Sequence, residues 1–142
     1  MIEQNIVVIV MDTAKFSAVS ELRETMQTTF DTLATDGCEY TNAFSNAPWS
    51  LPSHASLVTG TYTSKHGTHA GHMELGDQLV TLPELFQRHG YETAAVSNNT
   101  WISEEFGFAS GFKTFRKNWQ YIQSDTDLGK IAREKEGFDK LR

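Results

Sequence analysis

"NIVVIVMD", residues Asn5 to Asp12, is the stretch whose reading decides the fold. The run is continuously apolar and rich in β-branched side chains, with no alternation of polar and apolar positions. That pattern suits a central strand of a parallel sheet, covered on both faces, and not a half-exposed edge. It ends on a carboxylate, Asp12, and the carboxyl ends of such strands are where open α/β folds assemble their sites.

Working outward from this strand, the period changes. From Ser20 onward Leu22, Met26, Phe30 and Leu33 follow helical spacing, with Ser20 as a start signal and Gly37 as a stop, so one helix is expected over the sheet. "CEYTNAF" has the aromatic and small residues of a short strand, and Ser53 to Val58 the composition of a helix. "TLPELFQRHGY" carries a capping box, Thr81 with Glu84, a proline in the first turn and Gly90 as terminator. "ETAAVSN" then reads as another strand. Strands alternating with helices predict an α/β fold, a three-layer sandwich around a mostly parallel central sheet.

Composition narrows the class further. The chain has 142 residues, 39% hydrophobic, with a formal net charge of −6. This length buries one core, and the acidic balance argues against a nucleic-acid partner. The single Cys38 has no intramolecular disulfide partner, and the apolar run Ile6–Met11 is too short for a signal sequence or a membrane span, so no membrane partner and a cytoplasmic location are expected. Acidic residues dominate up to residue 115, whereas the remainder is net basic. Residues 116–142 are therefore read as a charged helical or connector tail, distinct from residues 1–115.

"NAPWSLPSHASLVTG", Asn46 to Gly60, holds the candidate chemistry. Ser50 falls at the start of a helix, where backbone N–H groups and the helix dipole favour an anion, and Pro52 fixes the entry without removing a needed donor. Two readings of Ser50 stand side by side: an ordinary helix cap, or an oxygen nucleophile for a sulfate or phosphate ester. Trp49 reads as core support for this turn. Downstream, "GTYTSKHGTHAGH" offers Lys65, His66, His69 and His72, but Gly67 and Gly71 make the stretch a loop, so three-residue histidine spacing is a poor zinc site. Asn98 and Asn99 read as turn residues, Trp101 as able to approach the site, and "FGFASGF" as a lid or edge.

"VIVMDTAK", "APWSLPSHASLVTGTYTSKHG" and "TLPELFQRHGYETAAVSNNTWISEEFGFASGF" together resemble, in order and spacing, the N-terminal part of the sulfatases, members of the alkaline phosphatase superfamily. The resemblance covers residues 5–115. It implies an alkaline phosphatase-like fold and a metal-assisted hydrolase of a small anionic ester. The implied metal ligands are Asp12, Thr13 and Ser50, holding a divalent ion, Ca2+ by preference over Mg2+ or Mn2+. Many members have a second aspartate where this chain has Thr13. The signature Cys or Ser, any residue, Pro, Ser, Arg is matched by Ser50, Leu51, Pro52 and Ser53, with His54 at the arginine position. The resemblance implies Ser50 as the nucleophile, which in sulfatases proper is oxidised to formylglycine, and His54, Lys65 and His66 as groups facing the ester.

The same resemblance sets the competing readings. Sulfate-ester hydrolysis follows from the signature. Phosphoester or phosphonate hydrolysis, or phosphotransfer, by an unmodified Ser50 follows from the missing arginine. A non-catalytic remnant follows from the length, because a hard cation wants about six oxygen ligands and the remaining ones are expected from a missing C-terminal half.

Overall fold

The computed structural model describes residues 4–118. They fall into two compact units, divided between Phe44 and Ser45. Among the described residues no helix is long and apolar enough to cross a membrane.

The first unit contains the Asn5–Asp12 run and two helices, α1 (Phe16–Thr25) and α2 (Thr29–Asp36). The run corrects the strand expectation: it joins no sheet among the described residues, and Val7 and Ile9 are 80% and 82% exposed. The physical reason is that an extended segment satisfies its backbone only through neighbours, and the described residues supply none. At its end Ala14 N–H reaches Met11 O at 3.3 Å, closing a turn in which Thr13 takes the left-handed φ of 62°. Such a conformation is uncommon for a β-branched residue.

The single helix expected from Ser20 to Gly37 is two. Ser20 lies inside α1, while Gly37 does follow α2. Thr28 breaks the path because Asp31 accepts from both its backbone N–H (2.7 Å) and its hydroxyl (2.8 Å), fixing an extended N-cap that competes with continued helix. Arg23 straps the two helices, donating to Asp31 at 2.7 Å and to Glu39 at 2.5 Å. The strand expected at "CEYTNAF" is also absent; Thr41 and Asn42 form a turn, and Tyr40 and Phe44 are exposed. Turn-forming side chains prevail where no sheet edge offers pairing.

The second unit holds the core, Leu51, Ala55, Leu75 and Phe108, with Trp49, Val58, Ile102, Phe106 and Phe115 packed against it. Helix α3 (Ser50–Thr59) turns Leu51, Pro52, Ala55 and Ser56 inward and stops at Gly60, whose φ is 64°. A one-turn helix, α4 (Thr63–His66), follows, and then α5 (Leu82–Arg88). The α5 start is as the sequence predicts: Glu84 N–H reaches Thr81 Oγ1, Thr81 N–H reaches Glu84 Oε2 at 2.7 Å, and Pro83 sits in the first turn. Gly90, at φ 84°, lies just beyond its end.

Strand β1 (Ala94–Ser97) matches the expected "ETAAVSN" strand and pairs in parallel with β2 (Thr114–Lys117), Ala94 opposite Thr114. β2 was not expected, and it crosses the boundary placed at residue 115. The crossover between them is no lid: Phe108 is buried in the core, and Gly107 sits so tightly on Leu75 that a Cβ would run into its carbonyl oxygen. Helices with a parallel strand pair make the chain an α/β fold of the expected class. The tail expected at 116–142 lies, from residue 119 on, outside the described residues.

Candidate active site

Ser50 is the first residue of α3, and Trp49, extended at φ −148° and ψ 168°, is the N-cap. The cap reading of Ser50 therefore gives way. The first helical bond runs from Ser53 N–H to Trp49 O at 3.3 Å, so the amides of Ser50 and Leu51 precede the intrahelical ladder and Pro52 contributes no N–H. This is the end of a ten-residue helix where partial positive charge accumulates.

Side-chain contacts fasten the turn. Ser45 Oγ donates to Ala47 O at 2.8 Å and lies 2.7 Å from Ser53 Oγ, so with its own hydrogen committed it accepts the Ser53 proton. Trp49 meets Trp101 edge to face, ring centroids 5.4 Å apart, and Trp101 in turn lies 5.2 Å from Phe106. Asn99 Oδ1 accepts Trp101 N–H at 2.9 Å and so fixes the approach of that ring. The expected support role of Trp49 and turn role of Asn99 match this geometry, and Trp101 does reach the residue preceding Ser50.

His54 folds back along α3, its Nδ1 2.7 Å from Ser50 O. A carbonyl only accepts, so Nδ1 carries the proton and the neutral ring presents Nε2 as an acceptor. In that form His54 donates nothing to an ester oxygen through Nε2. Only the doubly protonated ring can.

Lys65 is exposed on α4. His66 instead points into the fold: Nε2 is 2.9 Å from Ser56 Oγ, and Nδ1 accepts Thr68 N–H at 3.1 Å. Burial pushes its imidazolium pKa below the usual 6.5. His69 and His72 are exposed and paired across a tight turn, with His69 Nδ1 accepting Gly71 N–H.

Asp12 and Thr13 belong to the first unit and Ser50 to the second. Among the described residues no group of three or more His, Cys, Asp or Glu side chains is arranged to hold a metal ion. Asp12 is an oxygen donor of the kind a hard cation prefers, but one carboxylate with two hydroxyl residues is not the shell such an ion needs. No step is derived through an ion here.

Sequence reasoning missed Ser45 and Ser56. Ser56 left a signal, a hydroxyl on the buried face of an apolar helix that must find a partner. Ser45 left none, because its partner is fixed only once the turn has formed.

Ser50 thus opens a helix packed on the core of an α/β fold, with the Trp49–Trp101 pair braced behind it. The chain belongs to the sulfatase family: the sequence profile of that family, Sulfatase, matches residues 4–139. It is 32% identical over 78 residues to an N-acetylglucosamine-6-O-sulfatase of Bacteroides thetaiotaomicron, covering 55% of this chain and 14% of that protein. It is 36% identical over 64 residues to an ulvan-active sulfatase of Formosa agariphila, covering 45% and 12%. An uncharacterized sulfatase of Escherichia coli, YidJ, is 29% identical over 66 residues, 46% and 13%. These matches span about one-seventh of the relatives' length at most. No solved structure matches the chain.

Proposed function

We propose that this chain is the nucleophile-bearing part of a sulfuric ester hydrolase, with Ser50 at the attacking position. The observation that carries the reading is the placement of Ser50 within the Ser-Leu-Pro-Ser signature as the first residue of α3. There the helix N-terminus favours a bound sulfate group and the negative charge that develops on its oxygens. The Ser45–Ser53 bond and the Trp49–Trp101 contact hold the turn, and Lys65 supplies an exposed cation for the ester. Asp12, with Thr13, is assigned to one side of a divalent-ion site, Ca2+ by preference, whose other ligands come from sequence outside this chain. When bound, such an ion would polarise the ester. A cytoplasmic location belongs to the same proposal.

A second reading is favoured by His54. Arginine offers a permanently charged planar fork, whereas the His54 ring is turned back on Ser50 O and has one nitrogen left. This supports an unmodified serine acting on a phosphate ester. Mass spectrometry of the peptide spanning Trp49 to Lys65 from native cells separates the two. Loss of two hydrogens at Ser50 marks formylglycine and sulfate chemistry, and an intact serine in an enzyme that cleaves aryl phosphate and not aryl sulfate overturns the first reading. N-acetylglucosamine 6-sulfate belongs among the substrates tried, given the similarity to an enzyme of that name.

A further inference from the structure

The sulfatase resemblance implies His66 as a group facing the ester, yet its two ring nitrogens are both spent inside the second unit. A backbone N–H is always a donor, so the 3.1 Å contact from Thr68 N requires a lone pair on His66 Nδ1. In the neutral ring the proton then sits on Nε2, which donates to Ser56 Oγ at 2.9 Å. The partners are not surface groups: Ser56 is 4% exposed on α3, and Thr68 is fully buried. From Thr68 the chain of bonds continues through its Oγ1 to Glu74 O at 3.1 Å, and the next residue, core Leu75, bonds Phe106 O at 3.0 Å. One imidazole thus ties the helix that begins at Ser50 to the 67–75 loop and the core.

We propose that His66 is a proton-sensitive latch, a positioning residue that holds α3 against the 67–75 loop as the neutral Nε2–H ring and releases Thr68 when Nδ1 is protonated. Protonation would set two N–H groups facing each other where one now donates and the other accepts. The contact to Ser56 survives protonation, since Nε2 carries a hydrogen in both states. The sensor is therefore the Thr68 side and the strap is the Ser56 side.

The groups around the ring do not replace this explanation. Titratable or charged residues on the elements packed about it are Lys65 on α4 itself, His54 on α3, and His69, His72 and Glu74 in the following loop. Burial is the cause of the lowered His66 pKa, and none of these residues contributes a resolved part. The sign follows: a group whose folded pKa lies below 6.5 stabilises the fold fully above 6.5, and that contribution is lost as pH falls from there through the folded pKa. For one linked proton the ratio of released to latched molecules rises by up to about tenfold per pH unit in that window.

The latch does not rest on the proposed function, and its test needs no activity. Nitrogen-resolved NMR of the histidine-labelled full chain is expected to show His66 as the Nε2–H tautomer, titrating below 6.5, with the Thr68 amide protection factor falling along the same curve. His66→Gln should abolish that pH step. Ser56→Ala should lower thermal stability about equally at every pH and leave the midpoint in place. An Nδ1–H tautomer, a midpoint at or above 6.5, or a flat Thr68 protection profile overturns the latch, whatever Ser50 proves to do. The wild-type spectra decide the matter if either variant fails to fold.

Discussion

Ile6–Met11 is wholly apolar and Leu51–Thr59 mixes apolar with polar residues, and the two meet opposite fates. Leu51 is fully buried, whereas Ile9 is 82% exposed, and no residue from 4 to 44 is buried. The difference lies in what each segment needs from the rest of the chain. A helix closes its own backbone bonds and asks only that one stripe be covered, which Leu75 and Phe108 do for α3. A strand with two apolar faces needs neighbours on both edges and layers on both sides. Burial is thus a property of partners as much as of sequence.

The sharpest test of that contrast substitutes one side chain in each region. Leu51→Ala leaves a cavity in a fully packed position and is expected to cost about 2–5 kcal/mol in denaturant unfolding. Ile9→Ala, at an exposed position, should change stability by less than about 0.5 kcal/mol. Equal costs would erase the contrast. Next in size is Gly107→Ala, which combines a φ of 83° with a collision against Leu75 O and should cost more than about 1 kcal/mol. A neutral Gly107→Ala would show that the crossover can move away from the core.

What the sequence made legible follows the same division. The α5 capping box, the Gly90 stop, the β1 strand and the helix at Ser50 are local devices, decided by residues within a turn of one another, and all four are present. The Ser20–Gly37 helix failed at Thr28, where a carboxylate three residues on outweighed the apolar period. The strand expected at "NIVVIVMD" is not formed, because a strand needs pairing partners that no local reading supplies and that the described residues do not provide. At the candidate site the helix start at Ser50 and the packing role of Trp49 were legible from the residues, whereas His54 was singled out only by the resemblance to sulfatases. The inward turn of His66 was not legible, because its partners Ser56 and Thr68 lie on different elements and meet only through the fold.

Smaller than the core effects is the cap that starts α5. Thr81→Ala removes the hydroxyl that receives Glu84 N–H and reaches Ser110 O, and should cost about 1 kcal/mol. Glu84 also accepts from Ser110 Oγ at 2.6 Å, a bond that, with the Thr81 N–H, holds its carboxyl below the usual range. Thr81→Ser, which keeps the hydroxyl, should recover most of the loss in a thermal melt. If Thr81→Ser melts with Thr81→Ala, the cap is not what stabilises the helix.

The smallest expected effect belongs to the first unit and tests whether it has order of its own. The Arg23 guanidinium, together with the Thr28 N–H and hydroxyl, holds the Asp31 carboxyl down to about 2, from an ordinary 3.8. Because the folded pKa is depressed, the contribution is fully present above 3.8 and is lost as pH falls from 3.8 through about 2. The carboxylate is screened by solvent, so the loss should be local: fraying at the start of α2, with the second unit unaffected by this group. Carbon chemical shifts of residues 28–32, followed through that window, should move together with a midpoint near 2. In Asp31→Asn the shifts should already be displaced at neutral pH and show no such step. A midpoint at the ordinary aspartate value would mean that Arg23 does not clamp α1 to α2 in solution, and that the first unit lacks even the ordering its ion pairs provide.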